Sequence, residues 1–211
     1  MQGQEPRADI VNVLTTVFND IQKYGVDPQT DFAEGWICPI YKGDKGNIAN
    51  YRPITVLNTD YKVFTKTLAN RLTSVANKII HQDQAGFLPG RSIFDQVKLC
   101  KLLISYAESE EKNRAIVALD QEKAYDRVTH QYLWGVLRSF KIHESFIDTV
   151  KSIYWNAKTT VIINDIKSDP FTITKEVHQE DPLSCLLFNL TIEPLAISIR
   201  ESNIKGYKLP I

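Results

Sequence analysis

The segment Ile116-Val117-Ala118-Leu119-Asp120 gives the clearest indication of the fold, and Gln121 to Arg127 follow it directly. Four apolar residues in a row predict a short strand that is buried on both faces. The strand ends at a carboxylate, which is costly at the edge of a core unless a metal ion or a helix cap uses it. Asp120 therefore has two interpretations from these residues alone, a metal ligand or the N-cap of the next helix.

Length and composition indicate an ordinary globular protein. The chain has 211 residues, of which 43% are hydrophobic and 24% charged, enough for one large domain or two small ones. No apolar run approaches the ~20 residues that a bilayer span needs, and residues 1–5 lack the start of a signal peptide. Cys38, Cys100 and Cys185 are scattered without a Cys-x-x-Cys pair. We therefore expect an intracellular, reducing compartment, no membrane association and no zinc site.

The charge distribution says more than the net charge, which is zero. Residues 42–101 contain ten Lys or Arg against four Asp, whereas residues 1–41 contain two bases and six acids. A basic central third could follow a phosphate backbone. A solvated helix surface with a chance asymmetry explains the same numbers.

Apolar periodicity predicts the elements. Helices are expected over about 8–24, 61–80, 92–106, 130–140, 144–156 and 182–201, because apolar residues there recur at helical spacing. Strands are expected at 36–41, 115–119, 159–164, 170–174 and 204–209, with an extended segment at 50–54. The expected fold class is α+β, with helices packed on a small antiparallel sheet.

Four segments occur in order along the chain and carry a family resemblance. They are Ile37 to Lys42 with Asn50 to Asn58, Gln84 to Ser92, Leu119 to Arg127, and Gln179 to Asn189. Together they resemble the reverse transcriptase domain of a non-LTR (LINE-type) retrotransposon. The resemblance implies right-hand polymerase fingers in residues 1–110 and a partial palm in residues 111–211, forming one truncated domain with a core of about 30–211.

The resemblance also implies the chemistry. Nucleotide addition is an in-line displacement in which two magnesium ions stabilise the attacking and leaving oxygens. Magnesium prefers carboxylate oxygens on a rigid backbone, and Asp120 matches the family's first metal ligand and catalytic residue. The partners implied are an RNA template, a DNA primer and deoxynucleoside triphosphates.

Seven further positions match binding residues of the family. The nucleotide-binding positions are Lys42, Arg52, Tyr125, Gln179 and Pro182, and the template-binding positions are Gly90 and Arg91. A guanidinium forms two parallel bonds to phosphate oxygens and a lysine supplies a point charge. Tyr125 matches the aromatic residue that packs under the incoming sugar, although a plain core aromatic is the alternative.

The chain departs from the family in two places. The usual Gly-Val-Arg-Gln-Gly-Asp-Pro stands here as Glu176-Val177-His178-Gln179-Glu180-Asp181-Pro182. Two added acids and one lost base predict a swing of three charges beside a site for a polyanion. No adjacent Asp-Asp pair occurs in the sequence, so the family's second catalytic box, an aromatic-Ala-Asp-Asp hairpin, is absent, and no segment matches the thumb.

The expected function is therefore that of a fragment of an RNA-directed DNA polymerase that is inactive by itself. A non-catalytic RNA- or DNA-binding module that uses the basic fingers is the alternative. An unrelated two-metal nuclease ranks last, because it gives the segments at 51–53 and 179–184 no role.

Overall fold

The computed structural model describes residues 7–44, 46–110, 115–155, 157–204 and 206. Within these ranges the fold has six α-helices and five strands, in the order α1, β1, β2, α2, α3, α4, α5, β3, β4, β5, α6. The helices are α1 Ala8–Tyr24, α2 Thr59–Ile79, α3 Ile93–Ser109, α4 His130–Ser139, α5 Glu144–Trp155 and α6 Ser184–Glu201. The strands are β1 Glu34–Tyr41, β2 Tyr51–Leu57, β3 Lys158–Ile163, β4 Ile166–Lys167 and β5 Phe171–Thr172.

The helix predictions are confirmed to within a few residues at most ends, because helical periodicity is a local property. Ser92 caps α3 as expected, its side chain accepting a hydrogen bond from the backbone N–H of Phe94. Helix α1 ends at Gly25, whose φ of 85° lies in the left-handed region that favours glycine. The strand expected at 204–209 falls largely outside the described residues.

The sheet is mixed, which corrects the antiparallel sheet expected from the sequence. Strand β1 pairs antiparallel with β2, but it pairs parallel with β3, Glu34 lying opposite Lys158. Strands β4 and β5 pair antiparallel with β3. The sheet thus takes strands from both sides of the predicted boundary at residue 110. The parallel pairing of β1 with β3 joins segments that are far apart in the chain, so a local sequence pattern could not predict it.

The core lies where α2, α4, α5 and α6 pack together. Tyr61, Phe64 and Leu68 of α2 are fully buried. The other helices contribute a set of fully buried aliphatic residues, Leu133, Leu137, Ile147, Val150, Ile153, Leu187 and Leu190. Val75 of α2 and Leu195 and Ile199 of α6 follow the apolar spacing that predicted these helices, yet their side chains are exposed. No helix in the described part of the chain is both long and apolar enough to cross a bilayer.

The strand predicted at 115–119 is wrong. Residues 115–121 have no regular secondary structure, and the Val117 and Leu119 side chains are each 77% exposed. A buried strand needs neighbours on both edges to satisfy its backbone N–H and C=O groups. No described strand pairs with 115–121, because the sheet is built around β1 instead.

Candidate nucleotide-binding site

Two adjoining clefts bring together the five positions predicted to bind a nucleotide. One cleft, of about 540 Å³, is lined by Arg52, Tyr125, Gln179 and Pro182 among others. The next, of about 470 Å³, shares the first three of these and adds Lys42. Residues from β2, the 122–127 turn and the segment before α6 therefore face a common space.

Strand β2 positions Arg52 by its alternation. Thr55 and Leu57 are buried on one face, whereas Arg52 and Ile54, on the other face, line the larger of the two clefts. Lys42 follows β1 directly, and its backbone N–H donates to the carbonyl oxygen of Asn50 at 2.8 Å. The β1–β2 hairpin thus carries both cations to the smaller of the two clefts.

Tyr125 lies in a turn that the chain before α6 holds in place. The backbone N–H of Val177 donates to the Tyr125 carbonyl oxygen at 3.2 Å, and that of Glu176 donates to the Val128 carbonyl oxygen at 2.8 Å. The Tyr125 hydroxyl donates to Cys185 Sγ at 3.5 Å, and its ring meets Phe188 edge-on at 4.9 Å between centroids. Burial, and then the contact with Cys185, raise the pKa of Tyr125, so the phenol stays neutral.

Gln179 and Pro182 flank a buried acid. Gln179 Nε2 donates to Asp126 Oδ1 at 3.2 Å, which ties the segment to the 122–127 turn. Asp181, only 3% exposed, accepts from the Leu183 backbone N–H at 3.0 Å and from the Tyr61 hydroxyl at 3.5 Å. Burial raises the pKa of Asp181. Asp181 thus lies just before α6, whose N-cap residue is Leu183, and joins the cleft wall to α2 through Tyr61.

His178 is a buried core residue. Its ring stacks on Tyr154 at 4.6 Å between centroids, and its Nδ1 lies 3.1 Å from the Tyr61 hydroxyl. Burial, and then the neighbouring His130, lower its pKa to about 4, so the imidazole is neutral at pH 7. Within the described residues, His178 Nε2 and the Tyr154 hydroxyl are buried without a hydrogen-bond partner.

The two glutamates beside the site have unusual backbone conformations. Glu176 has a φ of 104° and Glu180 a φ of 64°, and both stand where the resembled family has glycine. Glu180 is exposed and Glu176 is partly buried. Burial, and then Asp126, raise the pKa of Glu176 to about 7. The charge swing at pH 7 is therefore smaller than the three units expected from the sequence.

Arg91, predicted to meet a template, has its guanidinium engaged by the fold. Nη1 donates to the carbonyl oxygens of His81 at 2.6 Å and Gln84 at 2.8 Å. Nη2 donates to those of Ile80 at 2.9 Å and Asn77 at 3.2 Å. Arg91 thus closes the C-terminus of α2, whose last carbonyl groups have no partner within the helix. Gly90, beside it, has a φ of 77° and open space at its missing Cβ.

Asp120 lies outside the two clefts. It is exposed and lines a third cleft, of about 640 Å³, with mostly apolar residues such as Leu119, Phe188 and Leu195. No group of three or more His, Cys, Asp or Glu side chains is placed to share a metal ion in the described ranges. These residues therefore do not by themselves fit the pair of magnesium ions that the resemblance implies.

A larger cleft, of about 720 Å³, lies between α1 and the 25–32 loop. Its polar lining includes Asp20, Asp27, Asp31 and Asp60. Among the described residues, no Lys or Arg lines this cleft to balance its carboxylates, which repel a phosphate, so it is a poor match for a nucleotide or a nucleic acid strand. The two clefts beside Arg52 also contain carboxylates, but Arg52, Lys42 and Lys123 accompany them. The pair of clefts beside Arg52 is the better candidate.

Sequence comparison places the chain among known proteins. Residues 40–208 match the family model described as reverse transcriptase (RNA-dependent DNA polymerase). The chain is 41% identical over 160 residues to a transposon TX1 uncharacterized 149 kDa protein of Xenopus laevis, covering 76% of this chain and 12% of that protein.

Two further relatives come from insects. The Pol polyprotein of the retrotransposable element R2DM of Drosophila melanogaster is 30% identical over 146 residues, which cover 69% of this chain and 14% of that protein. The R2 polyprotein of Nasonia vitripennis is 24% identical over 189 residues, 90% of this chain and 18% of that protein. The chain thus spans less than a fifth of these three relatives' length. It belongs to the reverse transcriptase family, among the non-LTR retrotransposons.

Proposed function

We propose that this chain is the nucleotide-holding part of an RNA-directed DNA polymerase and that it does not catalyse nucleotide addition by itself. One observation carries the proposal: Lys42, Arg52, Tyr125, Gln179 and Pro182 meet across two adjoining clefts, with Asp120 outside both. The expected ligands are a deoxynucleoside triphosphate and the strands of an RNA template and DNA primer.

The chemistry of the clefts suits a nucleoside triphosphate. Arg52 and Lys42 line the smaller cleft as exposed cations, with Lys123 a third, and phosphate oxygens accept charge-assisted hydrogen bonds from such groups. The Tyr125 ring, fixed by Cys185 and Phe188, offers a flat apolar wall for a sugar. In this proposal Tyr125 excludes a ribose 2′-hydroxyl and Gly90 with Arg91 lies toward the template strand.

The proposed lack of catalysis rests on the carboxylates that are available to bind metal ions. Two-metal transfer requires carboxylates that hold both ions close together. Asp120 is the matching ligand, yet it lies on an exposed loop, in no cluster of potential ligands among the described residues. The altered segment also places Glu176 and Glu180 near the site of a polyanion.

Binding is tested by neutralising the two cations. We expect Lys42→Gln with Arg52→Gln to weaken binding of a single-stranded oligonucleotide about tenfold or more. We expect the slope of log affinity against log salt to fall by about 1.4, roughly 0.7 for each lost phosphate contact. Fluorescence anisotropy at several salt concentrations measures both quantities.

The matched control is Lys98→Gln with Lys101→Gln on α3. These two lysines are exposed, belong to the same basic third of the sequence and line neither cleft. A loss as large in the control as in the cleft variant would show that binding follows general charge and would refute the assigned site. Arg91 is left unchanged because its four bonds to backbone carbonyl oxygens make any variant a test of folding.

Catalysis is tested by primer extension on an RNA template with magnesium or manganese. We expect no extension from the chain alone. Templated extension that Asp120→Ala abolishes would contradict the proposed inactivity and leave the binding assignment intact.

A non-catalytic nucleic-acid-binding module is the second candidate. It is favoured by the exposure of Lys66, Arg71, Lys78, Lys98 and Lys101, which lie on α2 and α3 away from the clefts. A deoxynucleoside triphosphate would compete with the oligonucleotide under the first proposal. It would not compete under the second.

A further inference from the structure

We propose that Phe87 is a base-stacking residue that holds one unpaired nucleobase at the rim of the larger nucleotide cleft. The inference rests on the proposed function, because it requires a nucleotide or a strand in that cleft. Phe87 lines the cleft together with Arg52, Tyr125 and Pro182. No family match assigned it a role.

Folding gains little from the conformation of Phe87. The side chain is 67% exposed, so it contributes only a small part of the burial that a phenylalanine usually provides. Its backbone has a φ of 57°, a left-handed conformation that bulky residues rarely adopt. An exposed aromatic residue in an unfavourable backbone conformation indicates that something outside the fold uses it.

The loop around Phe87 is anchored on both sides. Asn189 Nδ2, from α6, donates to the Gly86 carbonyl oxygen at 2.6 Å, and the Leu88 side chain is buried. Gln84 donates to the buried carboxylate of Glu193, which also accepts from Arg200. Arg91 holds the other end through its four backbone carbonyl partners. These anchors keep Phe87 in place, so an incoming base would not have to order the loop.

The chemistry of the rim suits a base of any sequence. Phenylalanine has a π face and no hydrogen-bonding group, so it can stack on every base without reading its edge. Arg52, across the same cleft, can neutralise the phosphate attached to that base. The base could belong to a single strand or to a free nucleoside triphosphate, since both present the same flat face.

The test compares Phe87→Ala, Phe87→Trp and Phe94→Ala in the full chain. Phe94 is the matched control, because it is also a phenylalanine, is 73% exposed and does not line the cleft. We expect Phe87→Ala to weaken binding of a short single-stranded oligonucleotide about fivefold or more without changing the salt slope. We expect Phe87→Trp to retain binding and Phe94→Ala to have no effect.

Base and backbone are separated with an oligonucleotide that carries abasic residues. The loss of affinity caused by Phe87→Ala should disappear on the abasic strand. In a strand without abasic residues, stacking on Phe87 should quench the fluorescence of 2-aminopurine, and Phe87→Ala should remove this quenching. A penalty that persists on the abasic strand, or that Phe94→Ala reproduces, would overturn the proposal. The same titration with a deoxynucleoside triphosphate identifies the source of the base.

The two proposals fail in distinguishable ways. If Lys42→Gln with Arg52→Gln weakens binding but Phe87→Ala does not, base stacking is refuted and the nucleotide cleft stands. If the native chain binds neither oligonucleotide nor triphosphate, both are refuted.

Discussion

At the scale of single residues, Glu176 and Glu180 are the most informative departures from the family pattern. Both have a positive φ, which brings the Cβ of an L-residue close to backbone oxygen atoms. The sequence identified these positions, because glycine is usual at both. The sequence indicated that the charge changes at these positions. It did not indicate backbone strain, because φ depends on how residues 176–182 join the 122–127 turn to α6.

Replacing Glu180 by glycine should stabilise the fold. A left-handed conformation costs an L-residue roughly 1–2 kcal/mol, and the extra freedom of glycine in the unfolded chain offsets part of this gain. We therefore expect Glu180→Gly to raise the free energy of unfolding by about 1 kcal/mol in urea denaturation. Lys101→Gly is the control: Lys101 is exposed in the middle of helix α3, where glycine should lower the free energy of unfolding by about 1 kcal/mol. Equal losses in both variants would disprove strain at Glu180.

Glu176 should make stability depend on pH. Its pKa is raised to about 7 from a usual 4.5, so the folded state holds the proton more tightly than the unfolded chain does. The free energy of unfolding therefore falls as pH rises between about 4.5 and 7. Glu176→Gln stays neutral and avoids this loss. We expect it to match the native chain at pH 4 and to exceed it in free energy of unfolding at pH 8.

Urea unfolding across this pH range measures the effect. Glu180→Gln, which changes an exposed carboxylate in the same segment, serves as the control and should show no such gap. If the free energies of unfolding of Glu176→Gln and the native chain differ by the same amount at pH 4 and pH 8, Glu176 is not the source of the pH dependence.

At the scale of elements, the sequence predicted the helices correctly and the strand at 115–119 wrongly. A helix satisfies its backbone within itself, so the spacing of Phe64, Leu68 and Leu72 was enough to locate α2. A strand exists only when a partner pairs with it. The apolar run at 116–119 has strand character, yet the described chain offers it no neighbour and its side chains are exposed.

Val117→Ala tests this correction against Val177→Ala. Val117 is 77% exposed and Val177 is fully buried. We expect Val117→Ala to change the free energy of unfolding by less than about 0.5 kcal/mol. We expect Val177→Ala to lower it by about 2 kcal/mol through lost burial and a cavity. Chemical denaturation of both variants measures this, and comparable losses would mean that residues 115–119 are buried in solution.

At the scale of the whole molecule, the motifs indicated which residues lie near one another better than they indicated the contacts that hold them there. The motif positions Lys42, Arg52, Tyr125 and Gln179 line one cleft, which agrees with the common role that the sequence predicts for them. The engagement of Arg91 and the position of Phe87 were not predictable, because both depend on contacts between the 81–91 loop and other parts of the chain.

The parallel pairing of β1 with β3 has a consequence for synthesis of the chain. Strand β1 is central in the sheet, yet its second neighbour begins only at Lys158. During translation the β1–β2 hairpin and α2 can form early, while one edge of β1 stays unpaired until β3 has left the ribosome. An open strand edge invites pairing with other chains. We therefore expect the chain to be most prone to aggregation at this step, before the two clefts beside Arg52 can form.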